Sequence, residues 1–322
     1  MSADFTPFGL AVGHETDAAG ATGLTVVRGV TSPFRASVAV IGRATGTREL
    51  DALDPTHLVD RVDAILLTGG SAYGLGAADG VMRWMEERGR GFQVREGIVP
   101  IVPAAVVFDL APLGSFAARP TADMAYAACE RATSTGLAEG SVGAGTGATV
   151  GKALGIERAM KGGLGCAVEE SESLAAGAIA VVNAVGDVRD DGGRIIAGAR
   201  GVDGAFLDIA AQLRSGAAMR SRFPELTARN TTLAVVMTSA SLSRVELRQL
   251  ARSSSAALAR RITPVGTSYD GDVIFAVCPS SGPAAPLLQV EAMTTHVLEL
   301  AIERAVRLAR GRDGIPGLAD RA

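Results

Sequence analysis

The sequence predicts an α/β fold, as one large unit or as two domains. Three observations carry that expectation. The chain has 322 residues, too many for a typical small domain. Short apolar runs that read as buried strands are interleaved with stretches of helical period. Hydrophobic residues make up 48% and charged residues 20%, which is ample material for a core. Forty glycines against 4% aromatics add a qualification: tight turns and close backbone approaches, rather than stacked rings, fill that core.

Taken in order, residues 9–12 and 24–28 read as strands of a meander, and Val38-Ala39-Val40-Ile41 as another strand. Asp54-Pro55 predicts a helix N-cap with proline at the first helical position. Val62-Asp63-Ala64-Ile65-Leu66-Leu67-Thr68 is a buried strand ending in Gly69-Gly70-Ser71-Ala72-Tyr73-Gly74-Leu75. A helix follows from Gly76 to Arg88, with Ala77, Val81, Trp84 and Met85 on one face. The glycine spacing after the strand matches neither G-x-G-x-x-G nor a P-loop, so close packing of the helix start, or a pocket for another ligand, is favoured over a nucleotide site. Pro100 and Pro103 confine the apolar segment 99–109 to an edge or an irregular region.

Residues 121–134 predict a helix with small residues inward. Gly143-Ala144-Gly145-Thr146-Gly147-Ala148-Thr149-Val150-Gly151-Lys152, continuing to Met160-Lys161-Gly162-Gly163-Leu164-Gly165, suggests backbone packed on backbone or wrapped around a site. Residues 178–188 read as a strand with Asn183 in its middle. Buried there, its amide has to be hydrogen-bonded, because an unpaired polar group costs roughly 1–3 kcal/mol. Residues 189–229 lose periodicity and read as an exposed linker. Ser243 and Glu246 form a capping box for a helix to about Arg261. Val273-Ile274-Phe275-Ala276-Val277 is another buried strand. The last helix covers residues 289–310, and Pro316 ends the ordered pattern.

The composition excludes several classes. Net charge is −3 and no basic stripe appears, which argues against nucleic acid as the main partner. No run of 18 apolar residues is present, so no membrane span is expected. Met1-Ser2-Ala3-Asp4-Phe5 lacks a basic segment followed by an apolar one, so no signal peptide is expected. Cys129, Cys166 and Cys278 have neither zinc nor disulfide spacing. They read as small core residues in a reducing cytoplasm. His14, His57 and His296 are scattered singles, and neither a metal site nor a serine–histidine triad is expected from them.

Two stretches carry candidate chemistry. In Ala228-Arg229-Asn230-Thr231-Thr232-Leu233-Ala234-Val235-Val236-Met237, Thr231 stands at the mouth of a buried strand. Its hydroxyl would become an N-terminal nucleophile if the Asn230–Thr231 bond were cut. The released amine, titrating near pH ~7.7–8.0, would serve as the base for its own side chain. The alternative is that Thr-Thr simply begins a strand, since threonine favours strands. Asp270-Gly271-Asp272 opens the later strand. It offers either paired carboxylates, one raised in pKa, or only a turn.

Five segments taken together resemble the P1 family of self-processing N-terminal-nucleophile peptidases. That family includes the D-aminopeptidase/L-aminopeptidase-esterase group, the β-peptidyl aminopeptidases and the nylon-oligomer hydrolase. The segments are residues 69–75, Gly143-Ala144-Gly145 through Lys152, Val182-Asn183, Asn230-Thr231-Thr232, and Asp270-Gly271-Asp272 followed by Phe275-Ala276-Val277. They fall in the family's order and span residues from about 9 to 305. No one of them is specific; their order is.

The resemblance implies a four-layer αββα sandwich, one peptidase domain over residues 1–322. It implies self-cleavage into an α chain, 1–230, and a β chain, 231–322, with Thr231 as the nucleophile. Lys152 and Asn183 would line the site, and Lys161 fits the role of Lys152 by a second alignment of the loop. Asp270 and Asp272 would position or activate Thr231 and its amine. Other branches carry serine as nucleophile and a Ser-x-Glu pattern where this chain has Asp270-Gly271-Asp272. Phe108 stands where several members have a tyrosine. The resemblance further implies homotetramers of αβ units, small peptide or amide substrates, and no metal or organic cofactor.

The chemistry is coherent for these residues. Thr231 Oγ attacks the Asn230 carbonyl, an N-to-O acyl shift gives an ester, and water hydrolyses it. The same hydroxyl then attacks an amide substrate. The Asn183 amide, with Lys152 or a backbone N–H, would stabilise the oxyanion. Two competing readings are an acyltransferase of the ornithine-acetyltransferase type and a non-enzymatic small-molecule binding protein that uses the glycine-rich loops.

Overall fold

Two five-stranded sheets lie face to face, with helices against both outer faces. The computed structural model describes residues 3–111, 113–171, 173–216 and 230–321. The chain begins with β1 (Leu10–Asp17), β2 (Thr22–Gly29), β3 (Arg35–Val40), β4 (Thr47–Arg48) and β5 (Ala64–Thr68). Helix α1 (Ala78–Glu86) follows, then β6 (Phe92–Val94), β7 (Gly97–Val99), β8 (Ala104–Val106) and α2 (Ala122–Arg131). Next come β9 (Thr149–Val150), β10 (Met160–Lys161), β11 (Gly163–Ser171), β12 (Leu174–Asn183), β13 (Asp187–Arg189), β14 (Ile195–Ala197) and α3 (Ile209–Arg214). The remainder is β15 (Thr231–Thr238), α4 (Arg244–Ser253), α5 (Ser255–Arg261), β16 (Ile262–Thr263), β17 (Val273–Cys278) and α6 (Leu287–Arg307).

The first sheet runs β1-β2-β5-β8-β4 and the second β11-β12-β15-β17-β3. Among the described residues, only β5/β8 and β15/β17 are parallel neighbours in these sheets. A parallel neighbour needs a crossover. Helix α1 lies within the first crossover, and α4 and α5 within the second.

The period-2 alternation of each strand assigns its side chains to layers. In β15, Leu233, Val235 and Met237 enter the core between the sheets, beside Val181, Phe275, Val27 and Ile65. Ala234 and Val236 face the opposite way, onto Leu247, Leu250, Val297 and Ile302 of α4 and α6. In the first sheet, Leu24, Val26 and Leu66 pack outward on Val81, Met85, Ala125 and Ala128 of α1 and α2. Each such large apolar side chain contributes roughly 1.5–3 kcal/mol on burial. The layers are therefore helices, sheet, sheet, helices: the expected αββα sandwich.

Glycine lets one of these layers close. An added Cβ at Gly165 of β11 would lie 2.1 Å from the Ala301 carbonyl oxygen of α6, so that helix rests directly on strand backbone.

Several local expectations are corrected. Asp54 starts no helix: residues 50–53 form a 3₁₀ turn, and the Asp54 carboxylate instead accepts from Thr56 N at 2.9 Å and Thr56 Oγ1 at 2.6 Å. Asp54-Pro55 makes a turn there, and no helix propagates from Pro55. The strand expected over 178–188 ends at Asn183, so Asn183 is terminal rather than central. Part of the expected linker 189–229 is ordered as β14 and α3; residues 217–229 lie outside the described residues. The segment after Pro103 is not an edge, because the two-residue strand β4 pairs on its far side. Residues 318–321 form a 3₁₀ turn beyond Pro316.

Candidate active site

The ends of three neighbouring strands bring the candidate residues together. β12 and β15 are antiparallel, with Asn183, the last residue of one, opposite Thr231, the first of the other. β17 is parallel to β15, so Asp270-Gly271-Asp272 arrives at the same end, and Asn230 and Asp270 form an isolated parallel bridge. Asn230, Thr231, Asn183, Asp270 and Asp272 are all buried.

The Asn230 carbonyl oxygen is the focus of the geometry. It accepts from the Thr231 hydroxyl at 2.6 Å and from the Gly271 amide at 2.8 Å. Two donors on one carbonyl polarise it towards nucleophilic addition. Gly271 is required by space: a Cβ there would lie 2.8 Å from Thr231 Oγ1 and 2.5 Å from the Ala44 carbonyl oxygen.

The two carboxylates are held differently. Asp270 accepts from Thr267 N at 2.8 Å and Thr267 Oγ1 at 2.7 Å. Burial raises its pKa; those hydrogen bonds and the charge of Lys152 oppose the rise. Asp272 Oδ1 accepts from Thr232 N at 2.6 Å, while Oδ2 is buried with no hydrogen-bond partner among the described residues. Burial first, and the charge of Asp270 second, push its pKa up to about 7, while the main-chain amides of Thr232 and Gly266 oppose the rise. The main chain of both is gripped from strand β3's end: Ile41 N and Gly42 N donate to Asp272 O, and Ala44 N to Asp270 O.

The Asn183 carboxamide is hydrogen-bonded on both sides, as its burial demands. Its Oδ1 accepts from Lys152 Nζ at 2.7 Å and from Thr149 N at 3.1 Å. Its Nδ2 donates to the Phe108 carbonyl oxygen at 3.2 Å. Lys152 Nζ also reaches the Asn183 carbonyl oxygen at 3.0 Å. Between the two lysines that the sequence offered, Lys152 therefore lies on Asn183. Lys161 is 1% exposed and donates to the carbonyl oxygens of Thr146 and Ala148.

Three contributions escaped sequence reasoning. The Gly271 amide and the grip from residues 41–44 are backbone groups with no side-chain signature. Phe108 contributes its carbonyl oxygen rather than a ring hydroxyl, and any residue can supply that. The histidines lie apart from this network. His14 Nδ1 is 2.9 Å from Thr25 Oγ1, and burial lowers its pKa to about 4. No group of three or more His, Cys, Asp and Glu among the described residues could hold a metal ion.

Comparison with known proteins adds the family. The profile of peptidase family S58 matches residues 8–312. An uncharacterized aminopeptidase of Mycobacterium leprae is 39% identical over 96% of this chain and 91% of its own length. A 6-aminohexanoate-oligomer endohydrolase of Kocuria sp. is 31% identical over 84% of this chain and 72% of its own. The solved L-aminopeptidase D-Ala-esterase/amidase of Ochrobactrum anthropi superposes with a TM-score of 0.72 at 19% identity. The match covers 98% of this chain and 90% of that one. That structure is described as a variant of the Ntn hydrolase fold, and the shared fold is the four-layer sandwich seen here. This removes the non-enzymatic binding protein from consideration. The chain belongs to peptidase family S58 and is a hydrolase acting on amide bonds.

Proposed function

We propose that this chain cuts itself between Asn230 and Thr231 and then hydrolyses small peptides or amides with Thr231 as its N-terminal nucleophile. The observation that carries this is the meeting of the Thr231 hydroxyl and the Gly271 amide on the Asn230 carbonyl oxygen, at 2.6 and 2.8 Å. In this reading Thr231 Oγ forms a bond to the Asn230 carbonyl carbon, and Gly271 N–H stabilises the oxyanion. The C–N bond breaks, and the proton taken from Oγ reaches the departing Thr231 amine. Water then hydrolyses the ester, leaving the Asn230 carboxylate and a free Thr231 amine beside its own hydroxyl.

Asp272 is suited to carry the proton. Its Oδ2 is unpartnered among the described residues, and its pKa near 7 matches the task of a base at neutral pH. Asp270 holds the turn from which Gly271 donates. Asn183 borders Thr231 from the opposite strand, Lys152 reaches it from the turn after β9, and the two serve the oxyanion of the substrate step. Residues 1–322 then act as one peptidase unit, self-cleaved into 1–230 and 231–322. The αβ units are read as assembling into tetramers in a reducing cytoplasm, in keeping with three buried cysteines outside any disulfide. A sedimentation mass of one αβ unit at micromolar concentration would contradict the tetramer.

One gel tests the central step. Cleavage before Thr231 divides 322 residues into 230 and 92, which by proportion of 32.7 kDa are about 23 and about 9 kDa. The unaltered protein should show both bands and Thr231→Ala a single full-length band. Fragments persisting in Thr231→Ala would mean that an outside protease makes the cut.

A further inference from the structure

We propose that Lys161 and Asp109 form a buried clamp that fixes the orientation of the Asn183 carboxamide, and that both are positioning residues for the reaction at Thr231. The inference rests on the reading of Asn183 as a site residue given above. Lys161 is 1% exposed and Asp109 is 3% exposed. Lys161 Nζ donates to the carbonyl oxygen of Thr146 at 2.8 Å and to that of Ala148 at 2.6 Å. Those two carbonyls flank Gly147. A Cβ on Gly147 would lie 2.6 Å from Asp109 Cβ and 3.0 Å from its Oδ2, so this tripeptide is pressed directly against Asp109. Asp109 is itself fixed by Thr22 Oγ1 at 2.8 Å and Gly70 N at 2.6 Å. The tripeptide 146–148 is therefore gripped by Lys161 through its carbonyls and by Asp109 through contact.

The next residue along the chain on each side of this clamp touches Asn183. Thr149, after Ala148, donates its amide to Asn183 Oδ1, and Phe108, before Asp109, accepts from Asn183 Nδ2. With Lys152 Nζ also on Oδ1, only one orientation of the carboxamide works. A flip would face Nδ2 towards two donors and Oδ1 towards a carbonyl oxygen, losing each of these bonds.

Neither ion is there for cheap stability. Burial lowers the Lys161 pKa to about 7 and raises that of Asp109 to about 6, and each charge partly offsets the other's shift. Arg312 and Asp313, on the segment that packs over Lys161, act on it in opposite directions. No salt bridge joins the two side chains among the described residues: Lys161 is held by carbonyl oxygens and Asp109 by a hydroxyl and an amide, so a variant of either is read on the folded protein by its kinetics. That gives the means to separate positioning from folding.

The experiment compares Lys161→Met, Asp109→Asn, the double variant Lys161→Met/Asp109→Leu, and Asn183→Ala. Melting midpoint, extent of self-cleavage, and kcat and KM for a small amino-acid amide, counted per cleaved chain, are measured for each. The double variant should melt lower, because it leaves the Thr146 and Ala148 carbonyls and the Gly70 amide without their partners, and its kinetics are read on the folded protein. Its kcat should fall about tenfold or more with KM held within about twofold, the pattern of a misaligned group rather than lost binding. If the double variant does not fold, Asp109→Asn, which keeps the shape and the acceptor for Gly70, carries the test alone. A folded variant with kcat within about twofold of the unaltered enzyme, while Asn183→Ala is strongly impaired, overturns the clamp and leaves the site reading intact. Full activity of Asn183→Ala would instead overturn the site reading itself, and the clamp with it.

Discussion

Asn183 and Thr231 stand directly opposite each other across the antiparallel ladder of β12 and β15. One ends its strand and the other begins the next strand in the sheet, so the pair sits at the rim of the inter-sheet core. β17, parallel to β15, delivers Asp270, Gly271 and Asp272 to the same rim. Strand direction alone thus gathers nucleophile, amide and carboxylates at one end of the sheet.

The pH dependence of self-cleavage follows from Asp272. With its pKa at about 7, the fraction able to take a proton rises about tenfold per pH unit below 7 and levels off above it. Timed gels of freshly refolded protein between pH 5 and 8 should trace that curve, and Asp272→Asn should slow cleavage and turnover by ~10²-fold or more. Asp270→Asn should also reduce turnover, by weakening the turn that presents Gly271. The same carboxyl has a stability consequence of opposite sense. Its folded pKa lies above the unfolded value of ~3.9, so the stability it gives is fully present below pH ~3.9 and is lost as pH rises through 7. A rate flat across pH 7 would exclude Asp272 as the base.

Gly271→Ala separates space from chemistry. The new methyl would meet Thr231 Oγ1 and the Ala44 carbonyl oxygen, which belongs to backbone and yields little. We expect a loss of roughly 1–3 kcal/mol, typical of overpacking, together with arrested cleavage because the amide and hydroxyl are driven off the Asn230 oxygen. Gly165→Ala, which strikes α6 at the Ala301 carbonyl oxygen, should destabilise to a similar degree yet still cleave. Urea midpoints and gels on both proteins make the comparison.

Lys152→Met removes the ammonium that lies 2.7 Å from Asn183 Oδ1. We expect kcat to drop by ~10²-fold, the lower end for loss of one oxyanion-site donor, with the fold retained. Steady-state kinetics on a small amide, beside a thermal melt, will show whether the loss is in chemistry or in folding.

Away from the site, stability should hinge on a buried carboxylate of α6, Glu299. Arg261 Nη2 pairs with Glu299 Oε2 at 2.9 Å, and both residues are buried. Arg261→Met leaves Glu299 with only the more exposed Arg260. The expected cost is at the lower end of roughly 3–5 kcal/mol, read as a shift of the urea midpoint, with the activity of the folded fraction unchanged.

What the sequence determined by itself is what depends on neighbours along the chain. Short continuous apolar runs marked β5, β15 and β17. Ser243 and Glu246 marked the start of α4 through a capping box that forms as read. The crowded glycines of 143–165 signalled backbone packed on backbone. The order of five motifs pointed to the family and, through it, to the layered sandwich. Tertiary structure alone decided where strands stop and which groups meet. Asn183 became terminal because β12 pairs with β15 only as far as Thr231. The Asp54-Pro55 signal made a turn and no helix, because capping is local but helix propagation needs an apolar face to bury. Lys152 rather than Lys161 reached Asn183 because Lys152 stands in the turn just after β9, whereas Lys161, paired opposite Thr149 in β10, is buried with its ammonium on the Thr146 and Ala148 carbonyl oxygens. The Gly271 amide joined the site through the parallel register of two strands about forty residues apart. A backbone N–H is the same in every residue but proline, so nothing in the sequence marks the one that will face a carbonyl oxygen.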